Sequence, residues 1–225
     1  MPSSAPSHVD YQPPADQTLA IVYRDDTLLV VDKPAGLLSV PGRGADRQDC
    51  LIRRVQRWFA DALVVHRLDM ETSGLLILAR GKGSQSRLGR LFQQRAVQKG
   101  YVAVVEGRVR PAEGEIDLPL ICDWPNRPRQ KVDHQLGKPS LTRYAVLGRG
   151  IDAQSTRLVL QPETGRSHQL RVHLQALGHP ILGDRLYAKG QTQARAGRLL
   201  LHATSLMFEH PVTGEPLRII SEAPF

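Results

Sequence analysis

Leu63-Val64-Val65-His66-Arg67-Leu68-Asp69-Met70-Glu71-Thr72-Ser73-Gly74-Leu75-Leu76-Ile77-Leu78-Ala79 places a polar segment between two apolar, β-prone runs. Short apolar runs bounded by turn residues read as buried strands, so Leu63 to Val65 and Leu75 to Ala79 are expected as two strands. Thr72-Ser73-Gly74 is ordinary turn chemistry. A turn does not need His66, Arg67 or Asp69, and polar groups at the mouths of rigid strands are where sites are commonly built. Asp69 is therefore the leading candidate for a catalytic carboxylate. A structural alternative stays open, because an Asp just before Thr-Ser-Gly can also serve as an Asx-turn residue.

Outward from this stretch, Leu19 to Tyr23 and Leu28 to Val31 read as strands joined at Asp25-Asp26, and Lys33-Pro34-Ala35-Gly36 fits a type I turn. Asp49 is a plausible N-cap for a helix through Phe59 with Leu51, Ile52, Val55, Trp58 and Phe59 inward. Ser84 caps a second helix with Leu88, Leu91 and Phe92 inward. Tyr101 to Val105 is a strand, and Leu141 to Leu147 and Thr156 to Gln161 form a strand pair. Ser167 caps a third helix burying Leu170, Leu174 and Leu177, stopped by Gly178 and Pro180. Leu199 to Leu201, Leu206 to Phe208 and Leu217 to Ile220 complete the strands. Strands outnumber helices and short turns join them. An α+β fold is expected, with a mixed, mainly antiparallel central sheet in two lobes flanked by helices and loops.

The 225 residues suit one domain. Residues 1–18 are expected as a disordered arm, since the first 17 hold four prolines and three serines but no Lys, Arg or apolar signal core. Residues 19–225 then form the single domain. Two cysteines make no disulfide framework, which points to the cytoplasm. A net charge of +8 suggests a polyanionic partner, with general solubility as the plain alternative. No apolar run is long enough for a membrane span. From Arg80 to Lys99 six residues are basic and none is acidic, a one-signed run that suits phosphate. Leu118 to Lys131 is a basic loop holding Trp124, Arg127, Arg129 and Lys131, a makeup suited to single-stranded or loop RNA. It reads equally well as a surface hairpin whose Trp covers the core.

No GxGxxG, GxxxxGK, HExxH or GxSxG is present, so neither a nucleotide cofactor nor a metal is supported. His66-Arg67-Leu68-Asp69 with Thr72-Ser73-Gly74, then Lys99-Gly100-Tyr101, then Gly165-Arg166-Ser167-His168-Gln169-Leu170-Arg171-Val172-His173, and finally Gly178-His179-Pro180-Ile181-Leu182-Gly183-Asp184 together resemble the RluA-type pseudouridine synthases. The likeness runs from about Ile21 to the C-terminus, and Leu118 to Pro128 resembles the dual-specificity subgroup.

The resemblance implies a pseudouridine synthase fold and an isomerase that flips uridines out of 23S rRNA and tRNA anticodon stem-loops; other branches carry an N-terminal S4-like domain, expected to be absent here because only about 20 residues precede the first strand. It implies no cofactor or metal, and a monomer is expected. It makes Asp69 the essential carboxylate, Arg166 its ion-pair partner, and Tyr101 the residue stacked on the flipped base. Arg67 would fill the space that the base leaves, and His66 would orient the segment. Lys33, Arg87, Arg90, Arg127, Arg129 and Lys131 would contact the RNA backbone, and Glu71 would be peripheral. Two other readings stand beside it: a catalytically silent RNA-binding module, and a glycoside hydrolase, which needs a second opposed carboxyl.

Overall fold

The computed structural model describes residues 11–16 and 19–225. In chain order the elements are β1 (Ala20–Arg24), β2 (Leu28–Lys33), α1 (Leu51–Gln56), β3 (Ala62–Val64), β4 (Ser73–Arg80), α2 (Gly81–Gln93), β5 (Gln98–Glu106), β6 (Glu113–Asp117), β7 (Leu120–Cys122), β8 (Gln130–Val132), β9 (Leu141–Arg149), β10 (Ser155–Pro162), α3 (Gln169–Ala176), α4 (Gly190–Ala194), β11 (Leu201–Glu209) and β12 (Pro216–Ile220). Among the described residues, ten strands make one sheet along the path β1-β2-β4-β11-β5-β10-β9-β6, with β3 on β4 and β12 on β11; β7 and β8 form a separate hairpin.

β2 and β4 explain why their sequences are almost continuously apolar. Their side chains alternate between two buried faces. Leu29, Val31, Leu76 and Leu78 pack with Leu51, Ile52 and Val55 of α1, whereas Leu28, Val30, Leu75 and Ile77 pack with Leu88 of α2. A third cluster, built on Val104, Leu158, Leu160, Leu170 and Leu174, fills the other half of the molecule.

The two halves meet at a short parallel contact between β4 and β11, pairing Ser73 with His202 and Gly74 with Ala203. β2–β4 and β11–β5 on either side are antiparallel. Gly74 has φ +111°, and a Cβ there would lie 2.6 Å from the Ala203 amide nitrogen. Only glycine suits both the dihedral and the close approach. A chain of hydrogen bonds reinforces the seam. Arg198 donates to Ser73 Oγ, Ser73 Oγ lies 2.8 Å from His202 Nδ1, His202 Nε2 lies 3.1 Å from Ser221 Oγ, and Ser221 donates to Asp32.

Several local expectations need correction. α1 ends at Gln56 rather than Phe59, leaving Trp58 80% exposed. Asp49 does not cap α1. Its carboxylate instead takes a two-point contact from Arg54, at 2.8 and 2.6 Å. α2 starts at Gly81, ahead of Ser84. The runs Leu199 to Leu201 and Leu206 to Phe208 are bridged by β11, which passes through a bulge between Ala203 and Ser205. Residues 1–10, 17 and 18 of the expected arm lie outside the described residues. Residues 11–16 are docked. Tyr11 is buried, donates to the Asp49 carbonyl (3.0 Å) and accepts from the Leu38 amide (3.0 Å), while Arg54 donates to the carbonyls of Pro14 and Ala15 (2.8 and 3.3 Å).

Gly74→Ala should lower the unfolding free energy by about 2–5 kcal/mol, since it combines a disfavoured dihedral with overpacking against backbone. Urea denaturation measures this, and a value within about 0.5 kcal/mol of the parent would show that the seam tolerates a Cβ.

Candidate active site

Between β3 and β4 the chain crosses the mouth of the seam as residues 65–72, and its main chain is pinned from several sides. Ser39 Oγ donates to the Leu68 carbonyl (2.7 Å) and accepts from the Leu68 amide (3.2 Å). The Gly36 amide and Lys33 Nζ both donate to the Met70 carbonyl, each at 2.9 Å. The Thr72 amide closes a turn on the Asp69 carbonyl (3.1 Å). His66 Nε2 accepts from the Ile77 amide (2.9 Å), and its ring stacks on Phe92 at 4.5 Å. Burial, with Lys99 nearby, holds that imidazole down at about 3, so it stays a neutral acceptor. The Asp69 carboxylate takes no part in the turn and stands 26% exposed.

Opposite it lies a buried guanidinium. Arg171 on α3 donates through Nε and Nη2 to both oxygens of Asp184 (2.8 and 2.7 Å), and its Nη1 reaches Asp69 Oδ2 at 3.4 Å. Asp184 also accepts the amides of Leu186 (2.9 Å) and Tyr187 (3.1 Å). The Tyr187 ring lies 5.1 Å from the Arg171 guanidinium carbon. Burial alone would weaken the Arg171 charge, but the Asp184 carboxylate overrides this and holds its pKa above the ordinary range. Asp69 is the looser of the two anions on this cation. Its carboxylate keeps one face accessible beside the guanidinium.

Tyr101 approaches from the other half. On β5 it pairs with Ala203 of β11, the residue that faces Gly74, and with Leu160 of β10. Burial, and then the negative charge of Asp69, push its phenol well above the ordinary value, so it is neutral. The site thus unites a partly exposed carboxylate, a neutral phenol and a buried guanidinium from three separated segments.

A family model described as RNA pseudouridylate synthase matches residues 27–176, about two thirds of the chain. This chain belongs to that family. Dual-specificity RNA pseudouridine synthase RluA of Escherichia coli K12 is 52% identical over 216 residues, covering 96% of this chain and 98% of the relative. The Vibrio parahaemolyticus protein of the same name is 53% identical over 206 residues, covering 90% and 82%. Among solved structures, human RNA pseudouridylate synthase domain containing 1 superimposes with a TM-score of 0.78 at 32% identity, covering 95% and 87% of the two chains. The protein is an RNA-modifying isomerase of the pseudouridine synthase class.

Within this pseudouridine synthase, several expected residues sit elsewhere than foreseen. Arg166 is exposed, and its Nε donates to the Pro139 carbonyl (3.3 Å). It does not pair with Asp69. α3 begins at Gln169 rather than at Ser167, after a left-handed His168, so Arg166 precedes the helix and Arg171 takes the position under the carboxylate. Lys33 is fully buried. Besides Met70, it donates to the carbonyls of Pro34 (2.9 Å) and Leu37 (2.8 Å), and burial lowers its pKa to about 7 against the pull of Asp69 and Glu71. It is a strut under the Asp69 loop and cannot reach RNA from there. His66 likewise turns its ring into the fold.

Arg67, Arg87 and Arg90 are exposed. Arg127 is exposed and lies 4.4 Å over the Trp124 ring, Arg129 is half-buried over Tyr187 at 5.4 Å, and exposed Lys131 stands 3.7 Å from Asp133. Leu118 to Lys131 holds the β7–β8 hairpin, but Trp124 is 66% exposed and does not cover the core. Arg171, Asp184 and Tyr187 carried no assigned role in the sequence. The available signal was Arg171 placed among Leu170, Val172 and Leu174, because a cation on a buried helix face calls for an anion.

Arg171→Ala should destabilise the protein by roughly 3–5 kcal/mol, since it strands Asp184 in the interior, while Arg166→Ala should stay within about 0.5 kcal/mol. Chemical denaturation of both variants compares them directly. The His66 pKa is depressed in the folded state, so its contribution is full above the ordinary value of 6.5 and is lost as pH falls towards 3. His66→Gln should flatten the acid limb of the stability–pH curve over that interval, and an unchanged limb would contradict this.

Proposed function

We propose that this protein isomerises specific uridines to pseudouridine in stem-loops of 23S rRNA and in the tRNA anticodon loop, acting in the cytoplasm through Asp69. The substrate pair follows the resemblance drawn from the sequence, and the relatives are named for dual specificity on RNA. The observation that carries the catalytic assignment is the Arg171 contact with Asp69 Oδ2 at 3.4 Å, with a neutral Tyr101 close enough to feel the Asp69 charge.

The reaction breaks the N1–C1′ bond, turns the uracil, joins C5 to C1′ and releases the C5 proton. Asp69 acts at the sugar, as nucleophile on C1′ or as the base that yields a glycal. Either role needs an ionised carboxylate close to the anomeric carbon, and the Arg171 guanidinium holds the Asp69 side chain in place for it. Tyr101 supplies a flat, uncharged face for the flipped base and a phenol oxygen near C5. Extrusion of the uridine costs a few kcal/mol. Exposed Arg67, two residues from Asp69, offers a planar guanidinium to fill the vacated stack. Arg87, Arg90, Arg127, Arg129 and Lys131 carry charge for phosphate contacts.

A glycoside hydrolase would need a second available carboxyl. Both oxygens of Asp184 are bound by Arg171, which disfavours that reading.

With an anticodon stem-loop tritiated at uridine C5, wild-type protein should release tritium to water and Asp69→Asn should release none while keeping its RNA affinity within several-fold. Wild-type turnover by Asp69→Asn would remove Asp69 from the mechanism. Arg67→Ala should weaken stem-loop binding more than binding of an unpaired strand, and equal losses on both would contradict the stacking role.

A further inference from the structure

His168 is one of two non-glycine residues with positive φ among the described residues, at +54°. That left-handed conformation is uncommon for a histidine and costs of order 1 kcal/mol. It turns the ring towards the site, with Nε2 3.9 Å from Asp69 Oδ2. Behind the ring a relay sets its protons. The Gln130 amide on β8 donates to Tyr187 Oη at 2.7 Å, and Tyr187 Oη lies 2.7 Å from His168 Nδ1. A backbone amide can only donate, so the phenol accepts from Gln130 and has its own proton free to give to Nδ1. An Nδ1 that accepts leaves the hydrogen of a neutral imidazole on Nε2, which faces the carboxylate.

We infer that His168 is a positioning residue for the reaction: a neutral imidazole held by Tyr187 as an Nε2–H donor to Asp69 Oδ2. The inference rests on the catalytic reading of Asp69. Arg171 and His168 converge on the same oxygen, at 3.4 and 3.9 Å, so Oδ1 is the oxygen left to approach the sugar. The 3.9 Å separation is longer than a hydrogen bond, and a small rotation of the carboxylate when substrate binds closes it. The groups facing His168 agree with a neutral ring. Burial lowers its pKa, Asp69 and Asp184 oppose this, and the Arg171 guanidinium adds to it. Arg129 lies on the far side of the chain of contacts, over the Tyr187 ring.

Two measurements test this. In protein labelled with nitrogen-15 histidine, long-range correlation spectra should show His168 as the neutral Nε2–H tautomer, its signals identified by their loss in a His168 variant. An Nδ1–H tautomer or an imidazolium at neutral pH would overturn the inference, whatever the activity. His168→Asn tolerates the left-handed backbone but is too short to place an N–H at the Nε2 position. At saturating stem-loop RNA its single-turnover tritium release should fall about 10- to 100-fold, with RNA affinity within about twofold, as expected for a contact that orients the reacting group. His168→Gln, which restores an N–H near the Nε2 position, should recover part of that loss. A His168→Asn rate equal to wild type, or a His168→Gln variant no faster than His168→Asn, would overturn it. Asp69→Asn run in parallel separates the two readings. If it is inactive while His168→Asn is fully active, only the positioning role fails; if it is active, the underlying assignment fails.

Discussion

One buried guanidinium holds two anions. Arg171 is 4% exposed, binds Asp184 at two points and extends its remaining nitrogen to Asp69. A lone buried cation would be untenable, so Asp184 is the condition on which Arg171 exists at that depth. With Arg171 satisfied, its charge can be shared outward with Asp69 without closing that carboxylate off. The split is unequal, at 2.7 Å to Asp184 and 3.4 Å to Asp69, and it divides a structural ion pair from a chemical one.

That arrangement depends in turn on how the two halves of the sheet meet. Asp69 belongs to the half built on β2 and β4, while Arg171 and Asp184 follow the strands of the other half. The short β4–β11 contact brings them together, and Gly74 permits the backbones to approach there. Tyr101 lies one strand further along the same row, through Ala203. A site spread over more than a hundred residues of sequence therefore has its geometry set by a few backbone atoms.

Strands and helices were legible where apolar period was strong. The two faces of β2 and β4 appeared as unbroken apolar runs, and the α+β architecture followed from many short strands. Boundaries set by long-range contacts were not legible. Asp49 looks like a cap in isolation, but buried Arg54 claims it. Arg166 and Arg171 stand five residues apart in one motif, and composition cannot tell which of them the helix start turns inward. The left-handed His168 moved that start, and no local propensity signals it. Lys33 looked like a surface cation, and three carbonyls supplied by the following turn and by Met70 drew it inside.

The docked segment 11–16 has a practical consequence for anyone trimming this protein. A recombinant boundary drawn just before β1, where the regular structure starts, would remove the Tyr11 ring from its buried seat and the two carbonyls that Arg54 uses. Arg54 is 3% exposed with the segment in place, so the shortened chain would uncover a cation left with only the half-exposed Asp49 as its partner. The resulting weakness would fall on α1 and on the turn after β2, the same turn whose carbonyls enclose Lys33. A convenient cloning site at the edge of the sheet would thus loosen the floor beneath Asp69 from a distance.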